Sequence, residues 1–126
     1  MSSPPDLKYN REHQWVRADG NTASVGITDF AQQQLGDIVF VELPRLGATV
    51  KAGARFGTVE SSKTASDVYA PVSGEVVAVN GSLEDTPEII NSSPYGQGWL
   101  VQVRMADANE LERLLSAAEY DALLVE

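Results

Sequence analysis

The chain contains no cysteine. That excludes a disulfide, a thiolate nucleophile and a zinc–thiolate site, so any redox chemistry must come from a group attached or bound to it. Histidine is almost as scarce, with His13 the single example. A Ser-His-Asp triad would need that residue as its base, a histidine metal site would need carboxylates for every other ligand, and no Gly-x-Ser-x-Gly elbow is present. A structural or surface role beside Trp15 is therefore the expectation for His13. Positive charge is sparse too: nine Lys and Arg stand against eighteen Asp and Glu, for a net charge of −9. Such a balance repels phosphate backbones and anionic lipid, so neither nucleic acid nor membrane is an expected partner, and basic patches on partner proteins fit better. No apolar run approaches the roughly 20 residues needed to span a bilayer. The opening Met1-Ser-Ser-Pro-Pro-Asp-Leu-Lys8 has neither the apolar stretch of a secretory signal nor the arginine-rich character of a transit peptide, which predicts a bacterial-type cytoplasmic protein. The glycines are scattered at strand ends, and no glycine-rich loop leads into a helix to cradle phosphate. Asn80-Gly-Ser82 and Asn91-Ser-Ser93 match the glycosylation acceptor pattern only by chance on this reading.

What the chain does have is enough apolar material, 43% of 126 residues, for one compact domain spanning residues 1–126, burying roughly two-thirds of the surface its unfolded chain exposes. Residues 1–7 read as a loose Pro-containing lead. His13–Arg17 reads as a strand, Ala18–Asn21 as a turn and Thr22–Thr28 as the returning strand, because Asp-Gly between β-suited runs signals a hairpin. Thr28 or Asp29 is placed to cap a short helix through Leu35, with Gly36 positioned to end it. A strand follows over Asp37–Leu43, and the text to about Leu83 alternates strand and turn. Pro44-Arg-Leu-Gly47 echoes Pro71-Val-Ser-Gly74; at the same offset Val50 matches Val77 and Gly53 matches Asn80. The echo predicts two similar β halves meeting near the intervening hairpin. After a strand at Trp99–Arg104, Asp107/Glu110 and Ser116/Glu119 each set a capping residue three before a glutamate. Leu111, Leu114 and Leu115 follow the first, and Tyr120, Leu123 and Leu124 the second, predicting two short amphipathic helices over 107–124. The fold class is mainly β, with one helix after the first hairpin and two at the C-terminal end.

Lys63 is one of three lysines and sits at the expected tip of a hairpin between two strand-like runs. Turns recruit polar residues, and a tip lysine ordinarily does no more than solvate. The same position also projects an amine on a four-carbon stem into water, where an enzyme reaches it and where an acyl group becomes a mobile arm. Glu12, Glu60 and Asp67 are expected to converge near it, as carboxylates that would hold a cationic group.

Five strings then carry a resemblance: Val25–Ala31, Leu35–Pro44, Val59–Asp67, Ala70–Val76 and Asn91–Trp99. In order and spacing, from about Leu7 to Leu124, they resemble the H protein family of the glycine cleavage system. The resemblance implies a barrel-sandwich hybrid of the lipoyl/biotinyl type and a non-catalytic carrier, with lipoic acid joined by an amide to Lys63 as N6-lipoyllysine. About ten covalent bonds would give that arm a reach of about 10–15 Å. It further implies a shuttle: the aminomethyl group of glycine is accepted from a pyridoxal-phosphate glycine decarboxylase and passed to a tetrahydrofolate-dependent aminomethyltransferase. Electrons go to a flavin-containing dihydrolipoyl dehydrogenase, and a lipoate ligase or lipoyltransferase installs the arm. Tethering keeps the intermediate at high effective concentration.

Two departures stand out. Where the family usually reads His-Glu-Trp, this chain has His13-Gln14-Trp15, and Gln14 offers hydrogen bonds without charge; Glu12, taken as lying two residues earlier on the same strand face, is the expected substitute, and the candidates for an arm or cargo cleft are Glu12, His13, Gln14, Glu60, Ser62 and Asp67. Around the lysine, Ser62 and Thr64 replace the more usual valine and alanine, both small changes. A lipoyl domain of a 2-oxoacid dehydrogenase complex commonly carries Asp-Lys-Ala at this hairpin and a biotinyl carrier Met-Lys-Met; neither is present. The sequence is also compatible with an H-like protein serving lipoate relay or assembly, and with an unmodified interaction protein in which Lys63 is only a turn residue.

Overall fold

In the computed structural model, which describes residues 3–124, the chain begins with β1 (Lys8–Tyr9) and the hairpin of β2 (Gln14–Asp19) and β3 (Thr22–Ile27). Gln14 pairs with Ile27 and Asp19 with Thr22, leaving a two-residue turn in which Gly20 takes φ +62. That left-handed conformation is what Asp-Gly supplies at a tight hairpin. Helix α1 (Asp29–Leu35) begins as expected: the Thr28 hydroxyl accepts the Ala31 N–H. It stops at Gly36, φ +85, whose N–H returns to the Gln32 carbonyl.

β4 (Ile38–Glu42), β6 (Arg55–Ser61) and β7 (Ala65–Tyr69) form a three-stranded sheet in the order β4-β6-β7, while the short β5 (Thr49–Val50), between β4 and β6 in the chain, joins the other sheet. β8 (Gly74–Val79) and β9 (Val101–Met105) complete a six-stranded sheet ordered β1-β2-β3-β9-β8-β5. Val16, Val25, Val59, Val68, Val76, Val101 and Val103, all buried, fill the space between the two sheets. Two single-turn helices that the sequence did not announce, α2 (Ser82–Asp85) and α3 (Ile89–Ser92), insert Leu83 and Ile90 into the same core.

The echoing segments do meet, but not at the lysine tip. Val50 pairs with Gly74 and Thr49 with Glu75, an antiparallel pairing that is carried onto itself when the two segments are exchanged at their sequence offset. Gly53 N–H to Ala70 O and Ala70 N–H to Ala54 O close this junction at the base of the β6–β7 hairpin, a strand's length from Lys63. Gly53 has φ +86, whereas Asn80 is not in the left-handed region and is a buried clip, donating to the Gln97 and Trp99 carbonyls.

Both ends differ from expectation. Met1 and Ser2 lie outside the described residues, but the rest of the supposedly loose lead is tied down. The Ser3 backbone N–H and hydroxyl both donate to Asp121, Tyr9 donates its phenol proton to Pro4 O, and Leu7 is buried. At the other end, Ala108–Arg113 is a 3-10 helix rather than an α-helix. Its Asp107 cap binds the Asn109 N–H, and Glu110, expected to complete a capping box, instead accepts the Ser73 N–H at 2.6 Å and its hydroxyl at 2.9 Å. The second box forms: Ser116 N–H to Glu119 Oε1 at 2.8 Å and Glu119 N–H to Ser116 Oγ at 3.2 Å open α4 (Ala117–Leu124). This helix seats Tyr120 in a second cluster with Leu7, Tyr9 and Trp15, the Tyr9 and Tyr120 rings stacked at 4.8 Å.

Candidate functional site

Lys63 stands in the turn joining β6 to β7, exposed, at the end of the hairpin farthest from the duplicated junction. Ser61 builds that turn. Its buried hydroxyl accepts the N–H groups of Lys63 (3.3 Å) and Thr64 (3.1 Å) and donates to Thr64 O (3.1 Å), while its own N–H reaches Thr64 O at 2.7 Å. A hydroxyl has one proton and two lone pairs, and all are used here. Ser62 N–H donates to Asp37 O, tying the turn to the chain entering β4. Asn91 fixes that entry: its amide donates to Gly36 O and Gln32 Oε1 and accepts the Ile38 N–H. Among the described residues no carboxylate lies within ion-pair distance of Lys63. Its stem instead lies over Gly36, where a Cβ would come within 3.3 Å of Lys63 Cε and 3.8 Å of Nζ.

One residue before that glycine, Leu35 forms part of the wall of a cleft of about 310 Å³. Ile27, Phe30, Ala31, Val59 and Val68 give it an apolar lining; Glu12, His13, Gln14, Gln34 and Ser66 supply the polar groups. Strand alternation decides which residues of the lysine hairpin face inward. Val59, paired with Ser66, and Val68 face the cleft. Glu60 and Asp67, one residue out of phase, point to the other face of the sheet. There Asp67 accepts from Arg55 Nε at 3.1 Å, and Arg55 also reaches Glu42 at 3.1 Å. Of the residues expected around the arm, Glu12, His13 and Gln14 line the cleft, while Glu60, Ser62 and Asp67 do not, so Glu12 is the only one of the three expected carboxylates found there.

The path from Glu12 to Gln14 is not a strand face. His13 has φ +75, the only non-glycine residue in the left-handed region among those described, and β2 begins after it. Asn10 holds this turn by accepting the Glu12 and Gln14 N–H groups on its side-chain oxygen and donating to Gln14 Oε1 at 2.8 Å. Gln14 closes it with Nε2 donating to Glu12 O at 3.0 Å. A glutamate at position 14 would set oxygen against that carbonyl, so in this turn the amide does a job a carboxylate could not. Glu12 is thus the one carboxylate of the cleft, brought there by the turn and not by strand period.

Burial holds the His13 imidazole below the ordinary histidine range, against a smaller upward pull from Glu12, so the ring is neutral at neutral pH. It packs against Phe30 with centroids 4.9 Å apart. Burial also pushes the Tyr120 phenol up to about 12, so it keeps its proton. Local sequence does not mark Ser61, Gly36, Asn10 or Ser66 as site residues. It marks Gly36 only as a helix stop, and the contact of that glycine with Lys63 depends on a meeting of distant positions that no local pattern encodes.

The comparisons agree with this architecture. The glycine cleavage H-protein family matches residues 7–126. A glycine cleavage system H protein of Brevibacillus brevis is 56% identical over 126 residues, covering 100% of both chains; one from Bacillus cytotoxicus is 58% identical over 120 residues, covering 95% of this chain and 94% of its own. The crystal structure of a glycine cleavage system H protein from Mycobacterium marinum superposes with a TM-score of 0.89 at 43% identity, over 97% of this chain and 98% of that one. With the lysine hairpin, the two-sheet core and the end-to-end similarity in place, the chain belongs to the glycine cleavage H-protein family.

Proposed function

We propose that Lys63 carries lipoic acid in an amide on its Nζ, and that the cleft beginning at Leu35 is where the arm and its aminomethyl cargo rest. As a member of its family the chain is a non-catalytic lipoyl carrier of glycine cleavage, whose partners are other components of that system. The observation carrying the finer reading is the course of the Lys63 side chain: without an ion-pair partner among the described residues, exposed and laid over a glycine that leads directly to the cleft. The residues present fit the group. An apolar lining of Ile27, Phe30, Leu35, Val59 and Val68 suits a pentanoyl chain and a ring of two sulfurs, and a volume of about 310 Å³ accommodates both.

When bound, the dithiolane supplies the reversible sulfur chemistry that a cysteine-free chain lacks. The protein's own residues do the rest. Ser61 presents the lysine to the attaching enzyme, a lipoate ligase or lipoyltransferase. Gly36 leaves the path to the cleft open. Glu12 supplies an exposed carboxylate that faces a cationic amine at the mouth of the cleft, and the apolar wall packs against the arm. The enzymes served are glycine decarboxylase, aminomethyltransferase and dihydrolipoyl dehydrogenase, in a bacterial cytoplasm.

Co-expression with a lipoate ligase, followed by intact mass, tests the attachment: the parent gains one lipoyl group and Lys63→Ala gains none. The modified protein supports exchange of the glycine carboxyl carbon with bicarbonate by glycine decarboxylase, and the variant does not. An unmodified parent in cells that lipoylate a control domain would defeat the reading.

A further inference from the structure

Three polar groups at the back of the cleft wall offer too few acceptors for their protons to be arranged in more than one way. The Tyr120 hydroxyl lies 2.7 Å from His13 Nδ1 and 2.7 Å from Thr28 Oγ1, and Thr28 Oγ1 also accepts the Ala31 N–H at 3.2 Å. Thr28 and Tyr120 are both 0% exposed, so neither hydroxyl reaches water. Suppose His13 carried its proton on Nδ1. It would donate to Tyr120, Tyr120 would donate to Thr28, and the Thr28 proton would have no acceptor among the described residues. In the opposite direction Thr28 donates to Tyr120, Tyr120 donates to a bare Nδ1, and every proton is used. Buried donors without partners are strongly disfavoured, which selects the second arrangement.

We propose that Tyr120 and Thr28 are positioning residues that lock His13 in its Nε2–H tautomer, so that the cleft wall offers a hydrogen-bond donor and no basic nitrogen. His13 lines the cleft, and with Nδ1 taken by Tyr120 its remaining polar atom is Nε2. An N–H there complements an oxygen acceptor such as the amide carbonyl of an arm. A lone pair there would instead be a base able to take a proton from water or from an ammonium cargo. The C-terminal helix thereby removes a general base from beside a hydrolysable cargo, although no residue of that helix lines the cleft. The neutral state of the ring, set by burial, is what gives the tautomer its meaning at neutral pH. This use of His13 rests on the cleft being the arm's resting place; the tautomer itself does not.

Because His13 is the only histidine, long-range proton–nitrogen NMR reports it without assignment ambiguity. In the unmodified protein, above the imidazole titration, Nδ1 is expected at a pyridine-type shift and Nε2 at a pyrrole-type shift. Tyr120→Phe, which keeps the stack on Tyr9, is expected to pull both toward averaged values, and Thr28→Ser to leave them in place. The reverse pattern in the parent, or unchanged shifts in Tyr120→Phe, overturns the relay. In the lipoylated protein the Nε2 signals are expected to move, and Tyr120→Phe to speed hydrolysis of the loaded arm several-fold with unchanged circular dichroism. A correct tautomer whose signals ignore lipoylation would uphold the relay and overturn the cleft reading.

Discussion

Lys63 Cε lies 3.3 Å from the point a Cβ on Gly36 would occupy, so the lysine that leaves the hairpin is seated on the last turn of α1. Gly36 serves two ends: its φ of +85 and ψ of −154 end the helix in a region that only glycine adopts freely, and its missing side chain admits the lysine stem. Gly36→Ala is expected to cost about 1–3 kcal/mol in denaturant unfolding. It should also speed loss of cargo from the lipoylated protein. Equal cargo lifetimes in parent and variant would mean that the arm does not cross this residue.

Glu12 is the sole carboxylate of the cleft, and it is exposed. Attraction between an exposed carboxylate and a cationic amine is about 0.2–1 kcal/mol, so Glu12→Gln should raise the hydrolysis rate of the loaded arm about 1.5- to 5-fold at low salt. The difference should shrink as ionic strength rises. A variant indistinguishable from the parent at low salt would remove Glu12 from the cargo site.

Stability should fall on mild acidification through His13. Its folded pKa is held below the unfolded value of about 6.5, chiefly by burial. Between the two values the unfolded chain binds the extra proton, so stability rises with pH through that window and is fully present above about 6.5. Urea midpoints of His13→Gln should lose this part of the pH slope. An unaltered slope would place the titrating group elsewhere.

Gly26 faces Trp15 so closely that an added Cβ would fall 2.7 Å from three atoms of the indole ring. Trp15 is fully buried and donates to Pro94 O at 2.9 Å. Gly26→Ala therefore overpacks a ring that has no room to move, at about 1–3 kcal/mol. Urea unfolding followed by tryptophan fluorescence measures it; a midpoint matching the parent's would show that the indole repacks.

Much of this was legible because its causes are local. Asp19-Gly20, Thr28 with Gly36, and Ser116 with Glu119 each carry their own geometry, and each element forms where they place it. What escaped depended on contacts between distant positions. Glu110 left its expected capping role because Ser73, far away in sequence, offered it two donors. The lead was tied down because Asp121 meets Ser3. Lys63 could be singled out as a tip residue, but the cleft beside it draws on α1, β3, β6, β7 and a turn made by Asn10, and none of these announces the others. Gln14 looked like a weakened charge site in sequence and proves to be a clip for the left-handed His13.

The lysine hairpin has a parity. Val59, Ser66 and Val68 belong to one side of it and Glu60 and Asp67 to the other. A slip of β7 by a single residue against the rest of the sheet would trade Ser66 and Val68 for Asp67, bringing charge into an apolar cleft and turning a core valine out to water. Substitutions beside Lys63 leave this parity untouched, as Ser62 and Thr64 illustrate. Deleting one residue within β7 between Ala65 and Val68 inverts it, so the length of this strand is a stricter requirement than its composition.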